Sequence, residues 1–204
     1  MNRRVEIELR RIANILVYFA NKTENLGVTK ANKLLYYLDC HHLLRYGRAV
    51  IKDKYKKFPL GPVPSETYEK LNIIKEFNLF PEKYRNKFDF SHEILFEYLT
   101  VIREEIGANY FIDRIIVKKD FESQWFSKSE VEIMDELIEK YRYTTATDLI
   151  DQTHNESPYK EAENDGFIDL KLFLRDNNMP QKDIDHIAYI EKEIESIALN
   201  YHGC

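Results

Sequence analysis

Four consecutive side chains, Asp39, Cys40, His41 and His42, carry the donor types that a transition metal or a hydrolytic centre uses, inside a run that otherwise reads as helix. Consecutive helical residues point about 100° apart, whereas helical metal motifs set their ligands three or four residues apart. Only Asp39 and His42 share a face. The competing reading is a polar edge on a mostly buried helix, whose His and Asp satisfy backbone or tyrosine partners. His154 and Glu156, two apart in a loop, would complete a metal-dependent hydrolase with Asp39 and His42 if the fold brought all of them together. Otherwise His154 ties its loop to the core through its two ring nitrogens. The chain has no Gly-x-Ser-x-Gly elbow, no phosphate loop and no dinucleotide fingerprint, and its 6 glycines leave few phosphate-cradling turns. The expectation is therefore a protein that is not an enzyme, with no catalytic residue, no metal and no cofactor.

A second cluster interleaves Lys52, Lys54, Lys56 and Lys57 with Tyr55 and Phe58, and closes on Pro59, Gly61, Pro62 and Pro64. Aromatic rings can stack on bases while ammonium groups neutralise phosphates, which is the chemistry of a nucleic-acid-binding regulator. A net charge of −5 disfavours nucleic acid as a partner, because the phosphate backbone rewards a cationic surface. A proline-stiffened loop showing aromatic and cationic groups also makes a protein-binding edge, since little conformational entropy is lost on docking. That is the preferred reading.

The elements that position these groups follow from hydropathy. Ala31, Leu34, Leu35 and Leu38, with Tyr36, Tyr37, Cys40, Leu43 and Leu44 around the rest of the circumference, predict a helix buried nearly all round, started by Thr29 and stopped by Gly47. Before it, Val5, Leu9, Ile12, Ala13, Leu16 and Ala20 share one face of an amphipathic helix. The prolines of 59–64 predict a stiff irregular turn, with Ser65 capping a helix that carries Tyr68, Leu71 and Ile74 inward. Ser91 is read as the cap of one long helix holding Ile94, Leu95, Tyr98, Val101, Ile102 and Ile106, and Ile112–Val117 as a strand pairing near Tyr110 or Phe121. Ser127 with Glu130, and Thr145 with Asp148, read as capping boxes. Near the end Ile187, Ile190, Ile194, Ile197 and Tyr201 alternate at three and four residues. They predict a final helix docked on its own core, with a homodimer seam through 184–201 as the alternative.

Two ordered blocks of these residues carry a resemblance. Lys33, Leu34, Leu35, Tyr36, Tyr37 and Asp39, followed by Gly47, Tyr55 and the Gly61–Pro62 pair, resemble the signature of the Panacea domain, the SocA-like antitoxin family of bacteria and phages. Ser127 to Tyr159, with Thr153, His154, Glu156 and Pro158, resembles that family's later block, except that Tyr159 stands where the family usually has Trp. The resemblance spans roughly residues 5 to 160. It implies an antitoxin of a toxin–antitoxin system that neutralises a cognate toxin by direct binding, in some members as an adaptor presenting the toxin to a protease. The expected partner surface combines an exposed edge of the central helix, Lys33, Asp39 and His42, with Tyr55, Phe58, Gly61 and Pro62.

At 204 residues, with 14 tyrosines, 12 phenylalanines and 32% charged residues, the chain can bury a sizeable core under a soluble surface. The expectation is a mainly α fold, α+β with a minor β element: a single helical bundle around the buried central helix, with a short strand or hairpin near 110–122. Residues 1–163 would form this domain and 164–204 a helical extension packed on it. No apolar run reaches the ~20 residues of a membrane span and the start lacks a secretory core, so the expected location is the cytoplasm. Cys40 and Cys204 form no disulfide framework and read as reduced thiols.

Overall fold

A computed structural model describes residues 3–24, 26–107 and 110–201. The chain opens with α1 (Arg3–Lys22), which buries Leu9, Ala13 and Leu16 along one face, and turns into α2 (Val28–Tyr46). Every side chain of α2 from Ala31 to Cys40 is buried, and Leu34, Leu35 and Leu38 are 0% exposed. The apolar circumference has done what it predicts, placing the helix inside the domain. Its start differs from expectation: Gly27 in extended conformation is the N-cap, so Thr29 already lies within the first turn and caps nothing. Gly47 ends it in the left-handed region at φ 68°, its N–H donating to the Leu43 carbonyl.

The Pro-rich stretch is not an irregular turn. It forms an antiparallel hairpin, β1 (Tyr55–Phe58) against β2 (Gly61–Pro64), with Phe58 facing Gly61 across the tip. Prolines are excluded from strand centres because they lack an N–H, but β2 is an edge strand. The other side of β1 is taken by residues 165–168, where Lys57 N donates to the Gly166 carbonyl and Ile168 N to the Tyr55 carbonyl. The hairpin leads into α3 (Ser65–Leu79), whose first-turn amides are capped by the Asp53 carboxylate rather than by Ser65: Thr67 N lies 2.8 Å and Glu66 N 3.2 Å from it.

After the short α4 (Pro81–Tyr84) comes α5 (Phe90–Tyr98), capped by Asp89 in a capping box with His92, not by Ser91. The long helix expected here stops at Tyr98. Its second half is β3 (Leu99–Glu105), paired antiparallel with β4 (Phe111–Val117) in register Val101 to Ile115 and Arg103 to Asp113. The apolar residues of 94–106 fit both periods. Three successive β-branched residues, Thr100, Val101 and Ile102, and a cross-strand ion pair between Arg103 and Asp113 at 2.8 Å favour the strand. The strand expected at 112–117 is present, with this partner instead of Tyr110 or Phe121.

Both capping boxes predicted from the sequence are formed: Ser127 with Glu130 opens α6 (Lys128–Tyr141), and Thr145 with Asp148 opens α7 (Ala146–His154). The chain continues through α8 (Ser157–Glu161), α9 (Lys171–Asp176) and α10 (Gln181–Tyr201). Ile184 and Ile187 of α10 bury themselves against Leu43 and Leu174. Further along, Ile190, Ile194 and Ile197 stand 39%, 48% and 54% exposed, so only the first half of α10 is docked on the core. The Tyr201 side chain and Cys204 lie outside the described residues. The described chain is thus mainly α, with two small two-stranded sheets around the buried α2.

Candidate functional site

Because α2 is apolar over most of its surface, its few polar side chains are forced to find partners on the segments that cover it. Between them they anchor several such segments. The Lys33 ammonium, 0% exposed, donates to the Pro62 carbonyl of β2 at 2.9 Å. Among the described residues no carboxylate pairs with it, and burial lowers its pKa to about 7. Gly61, at φ 94°, lies so close that a Cβ there would come within 2.8 Å of both Lys33 Nζ and Thr153 Oγ1. The hairpin therefore seats directly on α2 and α7 at a point only glycine can occupy.

Asp39, also 0% exposed, binds the chain that follows α2. Its carboxylate accepts from Val50 N at 2.7 Å and Ile51 N at 2.8 Å, and the Tyr55 hydroxyl lies 3.0 Å from it. Burial pushes Asp39 up to about 6 against the pull of these donors. The next residue, Lys52, is held in the left-handed region at φ 62°, a conformation that costs a side chain about 1–2 kcal/mol and persists only when its surroundings impose it. His42 completes the clamp: Nδ1 meets the Arg48 carbonyl at 2.7 Å and Nε2 the Ser129 hydroxyl of α6 at 3.2 Å, while burial lowers its pKa. Asp39→Ala would leave the Val50 and Ile51 amides without their acceptor, the Tyr55 hydroxyl keeping the Leu35 carbonyl at 3.0 Å, and we expect it to cost about 2 kcal/mol in urea unfolding. Asp39→Asn, which keeps one carbonyl oxygen, should cost less.

The later block reaches α2 from the other side. Glu156 accepts from the Tyr37 hydroxyl at 2.8 Å and the Tyr36 hydroxyl at 3.0 Å, and burial raises its pKa. The same burial lifts both tyrosines, so the phenols stay protonated donors. His154 stacks on Tyr159, ring centroids 4.2 Å apart, and its Nε2 is enclosed with no hydrogen-bond partner among the described residues. Tyr159 donates to the Phe58 carbonyl at 3.0 Å, fixing β1 from below. The aromatic packing role is kept, and the hydroxyl adds a tether to the hairpin.

Two expectations are corrected by this geometry. Lys33, Asp39 and His42 do not form an exposed edge: all three are 0% exposed, and Tyr55, Gly61 and Pro62 are buried with them. Of the seven residues expected at a partner surface, Phe58 alone reaches solvent, and it does so partly. The buried six instead build the frame that presents the hairpin. The second correction concerns Asp39, His42 and His154, whose hydrogen-bond and ring partners are disjoint. No group of three metal-capable side chains gathers among the described residues.

The connectivity picks out one stretch, α2 through α8, in which two blocks distant in sequence are bolted to a single helix by buried polar bonds. A family model described as antitoxin SocA-like, Panacea domain, matches residues 32–160, which is that stretch and more than half of the chain. The protein belongs to this antitoxin-like family. Searches of curated proteins and of solved structures return no match. Within this Panacea domain Lys33 ties the early signature together by its bond to Pro62, and Tyr36 and Tyr37 join it to the late one through Glu156. Outside the matched span, α1 packs on α5, and residues 165–168 extend the hairpin sheet.

Residues missed by sequence reasoning are those brought to the surface by the hairpin. Leu60 at its tip is 54% exposed, and Phe167, set beside β1 by the 165–168 segment, is 59% exposed. Phe167, Phe58 and Tyr68 line a cleft of about 1050 Å³, in which Lys54 and Lys56 lie over the Phe167 ring at 5.9 and 5.3 Å. Leu60 between two prolines carried a signal, an apolar residue at a turn apex. Phe167 carried none, because its neighbours come from residues a hundred positions earlier.

Proposed function

We propose that this protein is the antitoxin of a toxin–antitoxin pair and neutralises its cognate toxin by noncovalent docking through the hairpin face, without catalysing a reaction. The family match supports the role. The observation that carries the choice of surface is the exposed apolar set of Phe58 and Leu60 at the hairpin tip and Phe167 beside β1, on a hairpin held from behind by Lys33, Thr153 and Tyr159. Exposed aromatic and aliphatic groups on a preorganised edge are what a protein interface uses, because the ordering cost has been met in folding. Lys33, Asp39, His42, Tyr55, Gly61 and Pro62 act in this reading as the buried frame of the docking face. Residues 164–204 are assigned to an extension that completes the hairpin sheet and packs on the end of α2. No helix of the described residues is long and apolar enough to cross a membrane, and the proposed site of action is the cytoplasm.

The test is rescue of growth in cells expressing the toxin encoded beside this protein. Leu60→Asp with Phe58→Ala should weaken rescue by at least about tenfold in the toxin dose tolerated, since such anchor residues carry about 2 kcal/mol or more each. Far-ultraviolet circular dichroism of the variant should be unchanged. Full rescue by the folded double variant would move the interface away from the hairpin. Following toxin half-life in the same cells separates sequestration, which leaves it unchanged or longer, from presentation to a protease, which shortens it.

A further inference from the structure

A second cleft, of about 720 Å³, opens on another side of the molecule between the start of α1, residues 48–52 and the approach to α6. Five cationic side chains, Arg3, Arg4, Arg11, Arg48 and Lys52, line it against two carboxylates, Glu8 and Glu130, in a chain whose net charge is −5. Such a local excess of positive charge is kept against the character of the rest of the molecule. It is also built: the wall carrying Arg48 and Lys52 is the segment that Asp39 and His42 clamp from beneath, with Lys52 held left-handed so that it stays in place. Trp125, the only tryptophan, and Phe126 add a flat apolar side, and the Arg11 guanidinium lies 5.1 Å from the Phe126 ring centre. Arginine and tryptophan are the residues over-represented at energetically dominant interface positions.

We propose that this cleft binds an acidic segment of the partner polypeptide, its carboxylates meeting the Arg48, Lys52 and Arg3 side while an apolar side chain packs on Trp125. The partner's identity rests on the antitoxin reading; the cleft's preference for acidic peptide does not. The overall charge favours a peptide over nucleic acid: in a chain of net charge −5 a long phosphate backbone meets repulsion beyond the cleft, whereas a short acidic segment needs only the local excess. The Glu130 carboxylate, 2% exposed, forms part of the floor and already engages Arg11 at 2.8 Å and Arg48 at 3.4 Å.

The experiment measures binding of fluorescein-labelled hexaglutamate to the full chain by fluorescence anisotropy, with labelled hexathymidylate in parallel. Hexaglutamate should bind, more weakly as salt is added. Its affinity should fall at least about tenfold in the Arg48→Glu, Lys52→Glu double variant and stay unchanged in Phe58→Ala. Lys52→Gly keeps the left-handed backbone and removes one charge; it should weaken binding about threefold with the loop intact, which guards against a folding defect in the double variant. Absence of saturable hexaglutamate binding, or binding insensitive to both charge variants, would overturn the proposal. So would tighter hexathymidylate binding with the same sensitivity, which makes the cleft a nucleic-acid site, or a dimer of the free chain that the double variant dissociates, which makes the occupant a second copy. If charge-dependent peptide binding holds while growth rescue fails, the cleft stands and the antitoxin reading falls.

Discussion

Gly61→Ala should destabilise the protein by about 3 kcal/mol, read as a lower urea midpoint at unchanged slope. Two costs combine. At φ 94° a side chain is strained, by about 1–2 kcal/mol, and its Cβ would sit 2.8 Å from Lys33 Cε, Lys33 Nζ and Thr153 Oγ1. A long side chain normally swings away from such a contact. Lys33 has no such freedom, being 0% exposed and bonded to the Pro62 carbonyl, and Thr153 is 0% exposed as well. The hairpin must lift, which also moves Phe58 and Leu60. Combining Gly61→Ala with Lys33→Ala should therefore cost clearly less than the sum of the two single changes, since residues in contact are energetically coupled. Strict additivity in that double-mutant cycle would mean that the hairpin does not rest on Lys33.

The second large effect is in pH. Lys33 is buried without a counter-ion among the described residues and its folded pKa falls to about 7, while the unfolded chain titrates it near the ordinary 10.5. Between these values the unfolded state binds the proton that the folded state has released, so the contribution of Lys33 to stability rises with pH through this window. Below about pH 7 both states hold the proton and the burial penalty is present in full. Over the whole window the change is of order 5 kcal/mol. Tyr36, Tyr37 and Tyr55, whose pKa values burial raises, act in the opposite sense above about pH 10, where the unfolded state loses their protons first. The clean observable is the difference between wild type and Lys33→Met from pH 7 to 9.5. The wild type should gain stability relative to the variant across that range, and the variant should be at least as stable near pH 6, where it carries no buried charge. Parallel curves for the two proteins would show that Lys33 titrates as it does in water.

The two effects share a cause, which bears on how the docking face is made. Lys33 and Gly61 are tuned to one another: a buried amine reaching the Pro62 carbonyl, and a glycine that lets the strand come close enough to be reached. Replacing the amine with an apolar group of similar length removes a desolvation cost but frees the strand from its register. A variant with gained stability at pH 6 and reduced rescue would be the signature of a residue retained to hold a surface in position.

The sequence by itself determined the buried rod and its C-terminal stop, though not the residue that starts it. Residues 31–44 are apolar around almost the whole circumference, and Gly47 supplies the left-handed stop; both follow from local chemistry that no distant contact can alter. The capping boxes at Ser127 and Thr145 were legible for the same reason, each complete within four residues. The family resemblance rested on residues at these locally fixed places. What only the tertiary structure decided is the fate of residues whose partners are remote. Leu99–Glu105 has an apolar spacing that serves a helix or a strand, and the register with Phe111–Val117 chose between them. Lys33, Asp39 and His42 are charged or titratable residues that a local reading places at an edge in water, and they are covered by residues 48–64 and 127–129 folding back over them. Hydropathy periodicity reports which way a side chain points along its own element; what arrives later to cover it is set by packing among segments far apart in the chain. That is why the residues of the site could be picked out in the sequence, while which of them form a buried frame and which others, Leu60, Phe167, Arg48 and Trp125, form its exposed faces required the fold.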